Sequence, residues 1–177
     1  MQIQSFKDLP LNSEVQRSIT DLGFECLFPI QAQAIIPLLQ GKDVIGQAQT
    51  GTGKTAAFGV PMVQCLKSEV RGVQGLVLVP TRELAVQDAD NLAKFGKHSK
   101  IKVLAVYGGE SINKQIHCLA SGVQIVVGTP GRIIDLIERR VLNLGGVRTL
   151  VLDEADRMLD MGFIEDIEFI LSKTPRD

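Results

Sequence analysis

No stretch of the 177-residue sequence approaches the roughly 18–20 uninterrupted apolar residues that a membrane-spanning helix needs. The amino-terminal segment MQIQSFKDLP has no basic region followed by an apolar one, so no secretory signal is expected. Cysteine is scarce: Cys26, Cys65 and Cys118 are odd in number and far apart. That argues against a disulfide framework or a thiolate zinc cluster and predicts reduced core cysteines of a cytoplasmic protein. His98 and His117 have no ligand-like neighbours in sequence, so a transition-metal site is not expected. Net charge is nearly absent as well, at −1. A dedicated binder of duplex DNA rests on a strongly basic face. Any contact with nucleic acid must therefore come from a few placed groups.

What is present is an ordinary globular composition, 45% hydrophobic and 22% charged, in a chain long enough for one domain with a real core. Short apolar runs alternate with longer helical patterns. DVIGQA, GLVLVP, KVLAVYG, QIVVGT and TLVLDEAD read as strands buried on both faces. Between them, GKTAAFGVPMVQCLKS, TRELAVQDADNLAKFGK, SINKQIHCLAS and PGRIIDLIERRVL read as helices. The alternation predicts an α/β fold, an open and mostly parallel sheet with helices on both faces. Two further helices precede the first strand. One is capped by Asn12 or Ser13 and ends at Gly23; the other ends at Gly41 and is expected to kink at Pro37. The tail FIEDIEFILSKTPRD is amphipathic and helical up to Thr174-Pro175, where the alternation would call for one more strand.

The stretch AQTGTGKT at residues 48–55 follows an apolar run and opens a helix. Gly53, Lys54 and Thr55 fit the end of the phosphate-cradling pattern, but Ala48 replaces its first glycine. Ala48 carries only a methyl group and fits there if its φ is negative. Gly51 and Gly53 allow positive φ and close approach to phosphate oxygens, towards which loop amides and a helix amino terminus would point. Lys54 would add a mobile positive charge, and Thr55 a hydroxyl for magnesium. A glycine-rich surface turn is the plainer reading of the loop alone.

In TLVLDEAD an apolar strand ends in Asp153-Glu154. Adjacent residues of a regular strand point to opposite faces, so both carboxylates can serve one site only where the strand gives out. Asp153 would then hold magnesium through water, and Glu154 would polarise an attacking water. A solvated acidic turn is the alternative. The two motifs together favour nucleotide binding, and NKQI at 113–116 does not supply the Asn-Lys-x-Asp base-reading motif of GTPases.

These residues resemble the DEAD-box ATP-dependent RNA helicases. DEAD stands at 153–156, and AQTGTGKT, Ala48 included, is that family's form of the phosphate loop. GFECLFPIQ at 23–31 resembles the Q motif, PTRELA at 80–85 motif Ia and TPGR at 129–132 motif Ib, with GG at 108–109 a further short signature. The resemblance implies a RecA-like ATP-binding domain over 1–177, with a Q-motif region at 1–41 and a core at 42–177 that stops short of its last strand. It implies ATP held by Ala48, Gln49, Thr50, Gly51, Thr52, Gly53, Lys54 and Thr55, with Gln31 reading adenine. Phe6 or Phe24 would stack on the base, with core packing the alternative for each. Lys54, Asp153 and Glu154 would be catalytic, and Thr55, Asp153 and Glu154 would serve Mg2+. Single-stranded RNA would be held by its backbone at Pro80, Thr81, Arg82, Gly108, Gly109, Thr129, Pro130, Gly131 and Arg132. Thr81 and Thr129 would cap the helices that come after them, and Arg82 has an internal acid as an alternative partner. Asp156 would face a second RecA-like domain.

That second domain is not in the sequence, nor is the Ser-Ala-Thr motif expected after SKTPRD. Arginine fingers, worth ~10³–10⁵ in rate in related chemistry, would be missing with them. The chain is therefore expected to bind nucleotide with little turnover, while the longer protein unwinds RNA. A non-catalytic RNA- or protein-docking module and a DNA helicase of a neighbouring family are the competing readings.

Overall fold

The computed structural model describes residues 4–175. The chain divides into two compact units, Met1–Leu66 with Asn91–Ile101, and Lys67–Asp90 with Lys102–Asp177. The Q-motif region and the phosphate loop thus fall in one unit, and the sheet falls in the other.

The first unit opens with a 3₁₀ turn at Phe6–Asp8, followed by α1 (Ser13–Asp21) and α2 (Pro29–Leu39). Asn12, not Ser13, caps α1: its Oδ1 accepts the Val15 N–H at 2.8 Å. Val15, Ser18 and Ile19 then form the buried face at helical spacing. Helix α2 contains Pro37, where a kink was expected, and continues to Leu39. Pro37 has no N–H to donate to the carbonyl four residues back, so the helix runs through it at the loss of one ladder bond. Its carbonyl accepts the Lys42 N–H at 3.0 Å, which closes the helix end. The phosphate loop leads into α3 (Lys54–Cys65).

One expected strand is not formed. Residues 43–48, DVIGQA, have no regular secondary structure, and Ile45 is fully exposed. A strand exists only through a hydrogen-bonded neighbour, and no segment among the described residues pairs with this one. The cysteines also differ from expectation. All three are free thiols, but each is exposed instead of lying in a core. Cys26 sits on the isolated bridge to Ser5, Cys65 ends α3, and Cys118 lies on the outer side of a helix.

The second unit holds a four-stranded sheet of β1 (Gly75–Leu78), β2 (Val103–Val106), β3 (Ile125–Gly128) and β4 (Thr149–Leu152). The order is β2-β3-β1-β4 and every pairing is parallel. Every residue of the central strands β1 and β3 is buried, the pattern of a parallel sheet covered on both faces. The edge strands β2 and β4 are mostly half-buried, with Val106 buried and Leu152 exposed at their ends. Between the strands run α4 (Arg82–Phe95), α5 (Ile112–Ala120) and α6 (Pro130–Glu138). After β4 come α7 (Ala155–Asp160), which the sequence pattern did not suggest, and α8 (Ile164–Leu171). Leu76, Leu78 and Val126 of the sheet belong to one buried apolar cluster with Ile133 and Leu136 of α6, Met158 of α7, and Ile167 and Ile170 of α8. Among the described residues no helix is long and apolar enough to cross a membrane.

The shared register aligns Leu78 with Gly128 and Leu152, and Gly128 with Val106. The turns after all four strands therefore leave the same edge of the sheet, where ligands bind in open α/β sheets. Gly128 sets the packing at that edge. A Cβ there would lie 2.5 Å from Val106 Cγ2, 2.6 Å from the Val106 carbonyl oxygen and 2.9 Å from Ile133 Cδ1. The carbonyl belongs to the backbone and cannot swing aside. Gly128→Ala is expected to lower stability by about 1–3 kcal/mol, read as a lower urea midpoint at unchanged slope. An unchanged midpoint would show that the edge can yield.

Candidate nucleotide and nucleic-acid sites

In the first unit the phosphate loop is built from backbone conformations that only its sequence permits. Gly51 and Gly53 take φ of +81° and +82°, and the Thr52 hydroxyl donates to the Gln49 carbonyl at 2.6 Å. Among the described residues other than glycine, positive φ occurs at Lys100, Arg140 and Glu154 alone. Ala48 thus has the negative φ that makes its methyl group tolerable. Gly53 is the N-cap of α3, so Lys54 and Thr55 stand in the first turn, both half-buried, where unpaired helix amides favour an anion.

Gln31 reaches this loop. It is 2% exposed, its Oε1 accepts the Phe28 N–H at 2.9 Å, and its Nε2 donates to the Gly53 carbonyl at 3.1 Å. One amide ties the start of α2 to the start of α3. An amide has a second N–H and a second lone pair, so these bonds do not exhaust it. Gly53 is hemmed in by the same contacts: an added Cβ would run into Gln31 Nε2 and lie 3.1 Å from Phe28 Cδ2.

The aromatics fall out differently from one another. Phe6 is 1% exposed, with its ring 5.5 Å from that of Phe24, which stands edge-on to Phe95 at 6.1 Å. Phe6 is packed in a core and Phe24 is half-buried against it. Phe28 is 55% exposed beside the loop, and sequence reasoning passed over it. It was visible there as an oddity, a phenylalanine at a helix N-cap where a small polar residue is preferred.

In the second unit the acidic pair stands where the strand ends. The Asp153 N–H still donates to the Leu78 carbonyl at 3.0 Å, one step beyond β4. Glu154 then turns into the left-handed region, φ +51° and ψ +46°, and α7 starts immediately after it. That conformation costs a residue with a side chain roughly 1–2 kcal/mol. It ends the strand's alternation at the acidic pair. Glu154 Oε2 accepts from Arg157 Nη1 at 3.2 Å, and Asp156 is exposed, with its Oδ1 accepting the Arg157 N–H at 2.9 Å.

The other three turns of the same edge carry the residues expected to meet RNA. Thr81 caps α4 by accepting the Leu84 N–H at 3.3 Å, beside buried Pro80. Arg82 lies over the Tyr107 ring, 4.9 Å from its centroid. Gly108 and Gly109 are exposed, and Gly109 has φ of +82°. Thr129 has N-cap backbone geometry ahead of Pro130, but its hydroxyl makes no capping bond. Gly131 is exposed. Arg132 is turned inward: Nη1 and Nη2 each donate to the Glu110 carbonyl at 3.2 Å, and Nη1 also donates to Gln115 Oε1 at 2.9 Å. The Ser111 N–H, ahead of Lys114 and Arg82, holds the Glu110 carboxyl below the usual carboxylate range. Sequence reasoning missed Gln115. Its signal was a polar residue on the apolar stripe of Ile112, Ile116 and Leu119.

The model of the DEAD/DEAH box helicase family matches residues 28–177. The chain is 54% identical over 171 residues to a DEAD-box ATP-dependent RNA helicase CshA of Bacillus cereus, covering 97% of this chain and 33% of that protein. It is 52% identical over 173 residues to the protein of the same name in Bacillus subtilis, covering 98% of this chain and 35% of the relative. The chain thus spans about a third of the length of these relatives. A crystal structure of a DEAD box protein from the hyperthermophile Methanococcus jannaschii matches all of this chain with a TM-score of 0.94 at 40% identity, over 48% of its own length. Ordered motifs, parallel sheet and matches agree: the chain belongs to the DEAD/DEAH box helicase family.

Proposed function

We propose that this chain is the ATP- and RNA-binding amino-terminal part of an ATP-dependent RNA helicase. The observation that carries this reading is the Gln31 amide, buried and bonded to Gly53 at the mouth of the phosphate loop. A base bound there would meet an amide already fixed relative to the phosphates. Adenine offers a donor at N6 and an acceptor at N7, the pattern an amide complements. The loop from Ala48 to Thr55 holds the phosphates by its amides, with the Lys54 ammonium adding positive charge. Magnesium, when bound, neutralises phosphate charge. Thr55 in the first unit offers a hydroxyl fit to hold it, and in the second unit Asp153 and Glu154 are carboxylates of the kind that hold a metal and orient water. Phe24 and Phe28 are better presented than Phe6 for contact with the base.

RNA is bound at the carboxyl edge of the sheet by Thr81, Gly108, Gly109, Thr129 and Gly131, with Arg82 alongside. These are backbone amides, hydroxyls and a stacked guanidinium, so binding is indifferent to base sequence. In the longer protein Asp156 faces a second RecA-like domain, and closure of the two around ATP and RNA drives unwinding.

Titration with ADP and GDP in magnesium tests the nucleotide site. ADP should bind at least ten-fold more tightly, because guanine leaves the buried amide mispaired. Gln31→Ala should flatten that preference, and equal affinities in the unmutated chain would refute the assignment. Gly53→Ala should lose most ADP affinity without unfolding the chain, since the added Cβ displaces Gln31 from the loop. Full affinity in that variant would show that the Gln31 contact is incidental. Steady-state ATP hydrolysis by these residues alone should be negligible with or without RNA. Turnover at ~1–10 s⁻¹, within the ordinary enzyme range, would show that no second domain is required.

A further inference from the structure

The turn between β2 and α5 contains two consecutive glycines, the residue type with most conformational freedom to lose on ordering. It is held at both ends. At its start, Gln115 Nε2 donates to the Tyr107 carbonyl at 3.2 Å. At its end, both Arg132 Nη atoms donate to the Glu110 carbonyl at 3.2 Å. Arg132 Nη1 and Gln115 Oε1 join the two clamps at 2.9 Å. Gln115 is 4% exposed, and the two bonds employ the opposite ends of its amide. Arg132 meanwhile has both terminal nitrogens committed to protein oxygens, with none of them acidic.

We propose that Gln115 and Arg132 are positioning residues that together hold the Tyr107–Glu110 turn in its RNA-binding shape, and that Arg132 acts through this turn instead of as a phosphate ligand. This rests on the RNA reading above and deepens it. The planar guanidinium fork is what reaches the Glu110 carbonyl and the Gln115 amide at once, and a lysine ammonium on the same helix cannot reproduce it. Without the clamp, RNA must order the glycine turn as it binds, and affinity falls although no contact to RNA has been removed.

The test is fluorescence anisotropy with a labelled single-stranded oligouridine at several salt concentrations. It compares the unmutated chain with Gln115→Ala, Arg132→Lys and the double variant. Unmutated protein should show a shallow log–log salt slope of roughly −0.7, the value for one phosphate on a single strand, because Arg82 is the one cation this reading places on the RNA. Each single variant should bind about five- to ten-fold more weakly with the slope unchanged, and the double variant should lose little more, because both act on one clamp. Exchange of the Gly108–Ser111 amides should quicken in all three, while ADP affinity, which reports the first unit, stays constant. If Gln115→Ala does not fold, Arg132→Lys decides, since it keeps the charge and loses the fork. Retained affinity in Arg132→Lys beside a weakened Arg132→Ala of shallower slope would make Arg132 a phosphate ligand and overturn the proposal. Additive losses would also overturn it. If unmutated protein binds RNA and Gln115→Ala changes nothing, the clamp alone is refuted. If unmutated protein has no RNA affinity, the RNA reading falls and the clamp with it.

Discussion

Parallel pairing is the constraint on which the second unit depends. Strands running the same way in shared register must all deliver their succeeding turns to one edge. Leu78, Val106, Gly128 and Leu152 lie level across β1, β2, β3 and β4. Each strand leads there into a segment proposed to meet RNA or nucleotide: Pro80-Thr81-Arg82, Gly108-Gly109, Thr129 to Arg132, and Asp153-Glu154. The ladder even runs one step past the strands, through Val79 to Gly128, Thr129 to Val106 and Asp153 to Leu78. Residues scattered over seventy positions of sequence thus share a neighbourhood because of backbone hydrogen bonds that involve none of their side chains.

At that edge the side chains are aimed by conformations that ordinary strand or helix geometry does not supply. Glu154 takes a left-handed backbone where most residues avoid it, and Gly109 takes one freely. The phosphate loop in the first unit uses the same device at Gly51 and Gly53. Buried amides then fix what the backbone leaves loose. Gln31 does so at Gly53, and Gln115 does so at Tyr107 and Arg132. Both glutamines are nearly fully buried and have both ends of the amide satisfied, which is what makes a buried polar side chain tolerable.

Local signals were legible in the sequence and non-local ones were not. Asn12 caps α1 because the acceptor and its target amide lie three residues apart. The strand ending at Asp153 could be read from the need to turn two adjacent carboxylates to one side. DVIGQA has a strand's composition, but pairing depends on a neighbour, and composition cannot supply one. Helix α7 had no ordinary start signal, since its N-cap is a left-handed glutamate. Phe6 and Phe24 were ambiguous between stacking and packing because an aromatic ring suits both, and only the geometry puts Phe6 in a core. Arg132 carried a charge that pointed to phosphate, and the carbonyl and the amide it bonds within the chain lie 22 and 17 residues away.

The central claim is that one buried amide couples the base to the phosphate loop. The most direct measurement is the proton–nitrogen NMR spectrum of the labelled chain during titration with magnesium and ADP. The account requires the Gln31 side-chain NH2 resonances to move together with the backbone amides from Gly51 to Thr55, with one affinity for all. Loop amides that shift while the Gln31 side chain stays still would contradict it, leaving a phosphate site with no reader for the base.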